Sequence, residues 1–439
     1  MRILLIGGGG REHALGWALQ RDHPEVTLLV APGNPGLERL GRALPIAVTD
    51  VPALAEAARR EQVDLVVAGP EAPLVAGLAD RLEGHGIPCF GPGAAAAALE
   101  GSKVFAKEVL RACGAPTAPS LVVESESGIG PALERFGDRV VVKADGLAAG
   151  KGVLVASSRE EADLFARRAL SGASVGDAGK RLVFEERLSG DEVSLFYWTN
   201  GQDVALLPAA RDYKRLADGD RGPNTGGMGA TAPHPVPPGL ERTVTESVVR
   251  PVLDYLAARG AQYRGVLYCG IMRTARGPMV LEFNCRFGDP EAQALLPLAA
   301  GHVGQAFLAA ARGEPLASWR SRPGAAVAVV LASEGYPEAP RTGRRIFGLE
   351  EAATADGVLV FHAGVARQGE ELVSAGGRVL TITGVGPTGS EARRHAYDAL
   401  QRIRLEGAVW RTDVGDAVAA GSPLAAPPPQ GVFSEKERA

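Results

Sequence analysis

Residues 281–291, with the sequence LEFNCRFGDPE, place two oxygen ligands close together at the end of an apolar run. Residues 278–281 predict a buried strand, and side chains two positions apart on a strand share one face, so Glu282 and Asn284 would lie side by side. A carboxylate and an amide oxygen are hard ligands suited to Mg²⁺ held against phosphates. A polar strand end without a metal is the alternative, and this stretch alone does not decide between them.

The loop of residues 144–152 (ADGLAAGKG) imitates a P-loop, but it has one residue too few before its Gly-Lys pair and no Ser or Thr after it. A Walker site is therefore excluded. The pattern predicts instead a flexible glycine hairpin that folds over a triphosphate, with Lys143 at the strand end and Lys151 at the loop tip facing phosphate. A surface loop with solvated lysines is the alternative.

Lysine is rare in this chain, since only seven of the 47 basic residues are lysines. Four of the seven fall inside glycine-rich or polar motifs. Lysine is a compact point charge that can follow a moving phosphate, whereas the planar fork of arginine suits carboxylates. A lysine retained in an arginine-biased chain is thus a mild functional signal, with codon bias as the alternative. The seven are Lys103, Lys107, Lys143, Lys151, Lys180, Lys214 and Lys436.

Gly7 to Gly10 join the first predicted strand to the first helix, where bare backbone amides and the helix dipole favour an anion. A phosphate fits better than a dinucleotide, because Glu12 stands where the last glycine of G-x-G-x-x-G should be and the second strand supplies no acid for a ribose. Structural glycines are the alternative. Two more loops, residues 33–36 and 69–73, would lie at the same sheet edge, either as turns or as ligand contacts.

Residues 184–188 predict a hinge whose backbone can contact an adenine ring, and Glu192 follows as the candidate for both ribose hydroxyls. Taken singly, glutamates such as Glu185 and Glu192 are more often plain surface acids. Residues 211–229 are polar and glycine-rich, which predicts a long loop that lets the backbone approach a substrate closely.

Composition narrows the class of protein. The chain has 439 residues, 46% of them hydrophobic, which suggests about three domains. A net charge of −4 and a pI near 6.1 give no basic footprint for nucleic acid and no polybasic membrane patch. No apolar run reaches membrane-spanning length, and the four cysteines form no C-x-x-C pair. We therefore expect a cytoplasmic protein with reduced thiols.

The order of strand and helix signals predicts the organisation. Strands and helices alternate over the first hundred residues, which predicts β-α-β units and a parallel sheet. A compact unit of about 70 residues follows and predicts a lid domain. Beyond residue 322, short strands and a helix over residues 390–404 predict a closing domain, in which residues 341–343 and 362–364 form turns. The Pro-rich end predicts a disordered tail.

Together these motifs resemble the glycinamide ribonucleotide synthetase family, ATP-grasp enzymes of purine synthesis. The resemblance rests on the glycine-loop sheet, DGLAAGKG, GPNTGGMG and LEFNCRFGDPE in this order, and it runs from residue 1 to about 415. Gly8 departs from the asparagine, and Tyr213 from the histidine, found in many members.

The resemblance implies a multidomain ATP-grasp fold of α/β and α+β type. Its domains would be an N-terminal α/β domain (residues 1–102), a central domain (103–120 and 190–324), a lid (121–189), a C-terminal domain (325–420) and a disordered tail (421–439). It also implies the roles of individual residues. ATP would bind Lys103, Lys143, Lys151, Gly152, Glu185, Glu186, Leu188 and Glu192; phosphoribosylamine would bind Gly9, Gly10, Arg11 and Glu12; Mg²⁺ or Mn²⁺ would bind Glu282 and Asn284; glycine or the transferred phosphate would meet Asp212, Lys214, Asn224 and Arg286.

The implied reaction joins glycine to phosphoribosylamine through a glycyl phosphate at the expense of ATP, in a monomer with no nucleic-acid or membrane partner. Such phosphoryl transfer needs positioning and charge neutralisation rather than a nucleophilic triad. Three alternatives stay open on the residues alone. They are another ATP-grasp ligase with a different acceptor, a NAD oxidoreductase, which would need the missing fingerprint, and a nucleotide sensor without catalysis.

Overall fold

The computed structural model describes residues 1–21, 23–148, 152–316, 318–419 and 432–433. Its N-terminal region contains a five-stranded parallel sheet in the order β3-β2-β1-β4-β5. The three central strands are almost wholly apolar, as expected for strands buried on both faces. The elements are β1 (Arg2–Gly7), α1 (Gly10–Arg21), β2 (Thr27–Pro32), β3 (Arg42–Ala43), α2 (Val51–Arg60), β4 (Leu65–Ala68), α3 (Ala72–Val75), α4 (Leu78–Glu83) and β5 (Cys89–Phe90).

Two helices connect this sheet to the lid, an antiparallel sheet in the order β6-β9-β7-β8 with two helices packed on it. Ser158 caps the second lid helix by accepting a hydrogen bond from the amide of Glu161. The elements are α5 (Ala94–Gly101), α6 (Lys103–Ala112), β6 (Ser120–Val123), α7 (Ile129–Phe136), β7 (Val140–Ala144), β8 (Val153–Val155), α8 (Arg159–Leu170) and β9 (Leu182–Glu186).

The central region is built on a long antiparallel sheet in the order β17-β16-β10-β11-β27. Its elements up to residue 321 are β10 (Asp191–Asn200), β11 (Val204–Leu206), β12 (Arg211–Asp212), β13 (Arg215–Ala217), β14 (Arg221–Asn224), β15 (Gly229–Ala232), α9 (Leu240–Val244), α10 (Arg250–Ala257), β16 (Arg264–Thr274), β17 (Gly277–Asn284), α11 (Glu291–Leu295), β18 (Ala299–Ala300), α12 (Val303–Arg312) and β19 (Arg320–Ser321).

The C-terminal region adds a third five-stranded sheet, in the order β12-β15-β20-β25-β22. Two of its strands come from residues 211–232, so the sheet crosses the boundary expected at residue 324. The remaining elements are β20 (Ala325–Ala332), β21 (Ile346–Phe347), α13 (Leu349–Ala353), β22 (Val358–His362), β23 (Val365–Gln368), β24 (Glu371–Ser374), β25 (Arg378–Gly386), α14 (Gly389–Leu400), β26 (Arg404–Leu405), α15 (Asp416–Ala419) and β27 (Val432–Phe433).

The buried side chains form four clusters, and their distribution separates the lid from the rest of the molecule. Two clusters each combine strands of the N-terminal sheet with strands of the central sheet, so these regions share a core. The lid keeps a core of its own around Phe184, and the C-terminal sheet packs around α14. A region with a separate core can move without disturbing the others.

Two expectations differ from the structure. Residues 211–229 contain four short strands rather than a loop, because their backbone groups pair with one another and with β20. In the expected disordered tail, β27 pairs with β11. The other tail residues from 421 onward lie outside the described part of the chain. Over the described residues, no helix has the length and apolar character needed to cross a bilayer.

Candidate active site

A cavity of about 490 Å³ lies where the lid, the central sheet and the N- and C-terminal regions meet. Its volume is typical of a small-molecule site. Nine of the predicted site residues line it: Arg11, Lys103, Lys143, Gly152, Asp212, Lys214, Glu282, Asn284 and Arg286. The sequence motifs therefore converge on one cleft, although they are spread over nearly 280 positions of the chain.

Glu282 and Asn284 project into this cavity from the end of β17. Burial alone would raise the pKa of the Glu282 carboxyl, but the positive charges of Lys214, Lys143 and Lys103 outweigh burial and lower it to about 2. The carboxylate is therefore ionised at neutral pH. With the Asn284 amide on the same strand face, it forms the oxygen pair that suits a divalent cation.

Two lysines reach the cavity, one from the lid and one from a helix that leads to it. Lys143 is the last residue but one of β7 and donates to the carbonyl of Leu281 at 3.0 Å, so it bridges the lid and β17. Lys103 begins α6, which Ser102 caps, and donates to the carbonyl of Gly146 at 3.0 Å. At Gly152 a Cβ atom would lie 2.7 Å from that of Ala148, so the lid loop is closely packed there. Lys151 lies outside the described residues.

Beneath Lys143, a buried carboxylate is shared by two lysines. Glu185 forms ion pairs with Lys143 and with Lys107, whose Nζ lies 2.6 Å from Oε2. All three side chains are at most 8% exposed. Lys107 also donates to Thr117 Oγ1 at 2.8 Å. Glu185 was predicted to bind ATP, and in the structure its side chain pairs with Lys143, which was predicted to face phosphate.

The other predicted hinge residues lie beside the cavity. Glu186 is half-buried and pairs with Arg276 at 2.8 Å, and Leu188 is half-buried, neither being among the lining residues. Glu192 forms an ion pair with Lys214, which also lies 3.5 Å from Glu282. The predicted ribose acid and the predicted metal ligand are thus joined through one lysine.

Asp212 occupies a part of the cavity that is rich in carboxylates. Its Oδ1 is buried and has no hydrogen-bond partner among the described residues. Burial, followed by repulsion from Glu291, raises the pKa of the Asp212 carboxyl well above its usual range. Burial also raises the pKa of Glu291. Lys214 opposes the rise in pKa of both acids but does not outweigh burial, so this place is suited to a further positive charge such as a substrate ammonium group.

Asn224 is the last residue of β14 and pairs with Arg215, which directly follows Lys214. It is half-buried and does not belong to the described lining of the cavity. Asn224 and Lys214 therefore stand at the two ends of one hairpin, next to each other.

The glycine loop between β1 and α1 is filled from within. The amide of Gly9 donates to Glu12 Oε2 at 2.7 Å, and Arg11 Nε donates to Glu12 Oε1 at 2.6 Å. A Cβ atom at Gly9 would lie 2.8 Å from Glu12 Oε2, so a larger residue there would displace the Glu12 carboxylate. A Cβ atom at Gly10 would likewise lie 2.7 Å from Gln293 Nε2. The sequence favours a phosphate at these amides, but the Gly9 amide is already used by Glu12, whose oxygens accept hydrogen bonds instead.

Arg286 is held between two acids that sequence reasoning did not assign to it. Its Nε lies 3.2 Å from Glu71 Oε2 and its Nη2 lies 2.6 Å from Glu100 Oε1. Glu71 lies in a loop that the sequence left open between a turn and a ligand contact, and it lines the cavity. Glu100 also accepts from the amide of Cys285 at 2.7 Å. The acids hold the guanidinium near Glu282, one of the two predicted metal ligands.

Further lining residues were not predicted as site residues. Asp289 and Glu291 both face the cavity. Arg378 and Tyr336 reach in from the C-terminal region, and Arg378 pairs with Asp289 at 3.1 Å. The only local sequence signal was for Lys107, one of the seven lysines. The rest depend on contacts between distant parts of the chain.

Comparisons with known proteins agree with this geometry. Three family models match in order: the phosphoribosylglycinamide synthetase N domain over residues 1–100, its ATP-grasp (A) domain over residues 101–292 and its C domain over residues 326–417. Phosphoribosylamine–glycine ligases from Caulobacter vibrioides and Streptomyces coelicolor are each 47% identical, over 94% and 96% of this chain and 98% and 100% of their own lengths.

Solved structures give the same result. The crystal structure of phosphoribosylamine–glycine ligase from Thermotoga maritima is 36% identical, covers 94% of this chain and 100% of that one, and superposes with a TM-score of 0.83. A biotin carboxylase from Campylobacter jejuni, 14% identical, covers 95% of this chain and 94% of its own with a TM-score of 0.71, which shows the shared fold alone. The expected multidomain ATP-grasp fold is confirmed. The chain belongs to the phosphoribosylglycinamide synthetase family.

Proposed function

We propose that this chain is a phosphoribosylamine–glycine ligase, an ATP-dependent enzyme of purine biosynthesis. The observation that carries the proposal is 47% identity to enzymes of that name over nearly the whole chain, together with a cleft in which the family's motifs meet. ATP, glycine and phosphoribosylamine would be its small-molecule substrates.

In the first step, a carboxylate oxygen of glycine attacks the γ-phosphorus of ATP, the bond to the β-phosphate oxygen breaks, and ADP leaves with the electron pair. Lys103, Lys143 and Arg286 face the cleft and would neutralise the charge on the phosphate oxygens. Glu282 and Asn284 would hold Mg²⁺ or Mn²⁺, which supplies further neutralisation of phosphate charge when bound. The ionised state of Glu282 supports this assignment.

In the second step, the amine nitrogen of phosphoribosylamine attacks the carbonyl carbon of glycyl phosphate, the bond from carbon to the phosphate oxygen breaks, and the nitrogen loses a proton. Lid closure would exclude water, which would otherwise hydrolyse the acyl phosphate. We assign the glycine ammonium to Asp212, whose buried oxygen has no partner among the described residues.

The remaining assignments follow the cleft. The proposed ATP half also includes Lys151, Gly152, Glu185, Glu186, Leu188 and Glu192. The proposed phosphoribosylamine half consists of Gly9, Gly10, Arg11 and Glu12, and the proposed glycine half also includes Lys214 and Asn224. For the first two groups we propose two refinements. Glu185 acts by holding Lys143 in place through their ion pair. The Gly9 amide already donates to the Glu12 carboxylate, so Glu12 would take part as a hydrogen-bond acceptor for sugar hydroxyls.

We also propose the domain limits stated above, with β12 and β15 completing the C-terminal sheet, and a monomer in the cytoplasm. Cys89, Cys113, Cys269 and Cys285 are all unpaired, which supports a reducing compartment.

The test is substrate-dependent release of ADP by the purified full chain. ADP, phosphate and amide product should form in equal amounts and require both glycine and phosphoribosylamine, whereas alanine in place of glycine should give little. Bicarbonate is the informative comparison, because biotin carboxylases share the fold. ADP release driven by bicarbonate, or by neither substrate, would contradict the proposal.

A further inference from the structure

The hairpin of residues 215–224, formed by β13 and β14, contains no buried residue. A two-stranded hairpin without an apolar core is marginally stable in water. Yet Lys214 directly precedes this hairpin and Asn224 ends it, so both proposed glycine-half residues depend on its position. Something outside the hairpin must fix it.

The hairpin tip is held by residues 409–415, which we call the strap. Thr412 donates its amide to Asp218 Oδ1 at 2.8 Å, and the amide of Gly219 donates to Asp413 Oδ2 at 2.9 Å. At the base of the hairpin, the amide of Gly415 donates to the hydroxyl of Tyr213 at 3.0 Å. The contacts therefore span the hairpin from tip to base.

Arg411 is the centre of these contacts and is only 1% exposed. Its guanidinium donates to both oxygens of Asp413 at 2.7 and 2.6 Å, to Asp220 Oδ1 at 2.7 Å and to the carbonyl of Arg215 at 3.2 Å. Its Cζ also lies 4.9 Å from the centre of the Tyr213 ring. One buried cation thus joins the strap to the tip, the first strand and the base of the hairpin.

The strap itself is anchored to the body of the molecule. Val409 exchanges two backbone hydrogen bonds with Ala332 of β20, at 2.8 and 2.9 Å. On the other side, Tyr397 of α14 donates to the carbonyl of Arg411 at 2.9 Å and accepts from the amide of Val414 at 3.1 Å. The position of the hairpin is therefore set by the C-terminal sheet and helix through the strap.

A second set of contacts holds the segment after the hairpin, where Tyr336 accepts from the amide of Gly226 at 2.9 Å and Arg378 donates to the carbonyl of Gly226. These groups lie at the cleft and fix Gly226 and Gly227. Tyr336 and Arg378 do not contact the hairpin tip, so the strap determines the tilt of the hairpin.

We propose that Arg411 is a positioning residue for the glycine half of the reaction, acting through the hairpin to place Lys214 and Asn224 at the cleft. This rests on the proposed function. It adds a residue outside the cavity lining to those on which turnover depends.

Three variants test this in the full chain. Arg411→Gln removes the charged contacts, and Asp220→Asn removes one of them at an exposed tip residue, where loss of the fold is not expected. Arg344→Gln is the matched control, since Arg344 pairs with Glu334 in the same region at 2.7 Å and makes no contact with the hairpin among the described residues. We expect Arg411→Gln to lower kcat/KM for glycine by about 30-fold and Asp220→Asn by about fivefold, from the usual strength of charged hydrogen bonds. KM for ATP should change by less than kcat/KM for glycine in both, because Glu192, the residue of the ATP half that pairs with Lys214, lies on β10 and not on the hairpin.

A double-mutant cycle with Lys214→Met separates positioning from general destabilisation. In the Lys214→Met background, Arg411→Gln should lower kcat/KM for glycine by less than a further threefold. Three results would overturn the proposal. Arg344→Gln could lower kcat/KM for glycine as much as Arg411→Gln does, KM for ATP could rise as much as kcat/KM for glycine falls, or the effects of Arg411→Gln and Lys214→Met could be fully additive. A Lys214→Met enzyme of normal activity would overturn the proposal as well. If Arg411→Gln does not fold, Asp220→Asn decides, and wild-type activity in that variant would also overturn it. Failure of the proposed function would appear separately, as wild-type ADP release that does not depend on glycine.

Discussion

Lys107 lines the cleft beside Lys143, and its ammonium group lies 2.6 Å from Glu185 Oε2. It shares Glu185 with Lys143, and Glu185 is 3% exposed. If Lys107 is replaced by methionine, Lys143 becomes the sole partner of Glu185 in this buried group, and the ion pair between them becomes stronger. Lys143 must then give up a stronger ion pair before it can meet a phosphate group of ATP.

The magnitude follows from the burial of the pair. A hydrogen bond to a charged group contributes about 1.5–3 kcal/mol. With about 1.4 kcal/mol for each factor of ten, KM for ATP should rise by roughly 10- to 150-fold. KM for glycine should remain unchanged. The loss of one partner from a buried ion pair should also lower the free energy of unfolding by about 3–5 kcal/mol.

Steady-state ADP release at varied ATP, together with urea unfolding, measures both effects. Arg111→Met is the matched control, because Arg111 lies one turn further along α6 and is exposed. That control should change stability by less than about 0.5 kcal/mol. A folded Lys107→Met enzyme whose KM for ATP stays within twofold of the wild type would refute the reasoning about Glu185.

Three other predictions concern the cleft and the seam between the N- and C-terminal regions. Glu282→Gln removes the charge of the proposed metal ligand and should lower the rate of ADP formation by about 10²–10³-fold at saturating Mg²⁺, as measured in single turnover; an undiminished rate would exclude the role. Asp212→Asn should raise KM for glycine about tenfold or more while KM for ATP is unchanged, and the reverse pattern would move Asp212 to the ATP half. Burial lowers the pKa of His13 to about 3 and that of His362 to about 4, so the unfolded chain binds more protons below pH 6.5 and stability should fall as the pH drops from 6.5 towards 4. At pH 5 each histidine should lower the free energy of unfolding by about 2 kcal/mol. In thermal melts, His13→Gln should therefore make the melting temperature depend less on pH, and a variant with the wild-type pH dependence would show that the buried histidines are not its cause.

The sequence predicted those parts of the site whose geometry is local. Glu282 and Asn284 share a strand face because of the period of two, and Gly7 to Gly10 form a strand-to-helix turn, so neither required knowledge of the tertiary fold. Lys143 was recognised for the same reason, as the last charged side chain before a glycine loop.

The remainder depends on contacts that no local pattern encodes. Arg286 meets Glu71 and Glu100 across 215 and 186 positions. The hairpin of residues 215–224 was predicted as a loop, because it buries nothing and so shows no alternation of apolar and polar residues. The glycine loop suggested a free anion site, since sequence spacing does not reveal that the Glu12 carboxylate folds back onto the Gly9 amide.

The sheet that joins β12 and β15 to β20 also affects the order of events during synthesis. Residues 229–232 pair with residues 326–329, which leave the ribosome about a hundred residues later. At a synthesis rate of roughly 5–20 residues per second, the partner strand is missing for on the order of ten seconds. During that interval β15 exposes unpaired backbone groups, and such edges are prone to aggregation. The nascent chain therefore passes through a vulnerable period in which the lid can already be folded while the proposed glycine half of the cleft is still incomplete.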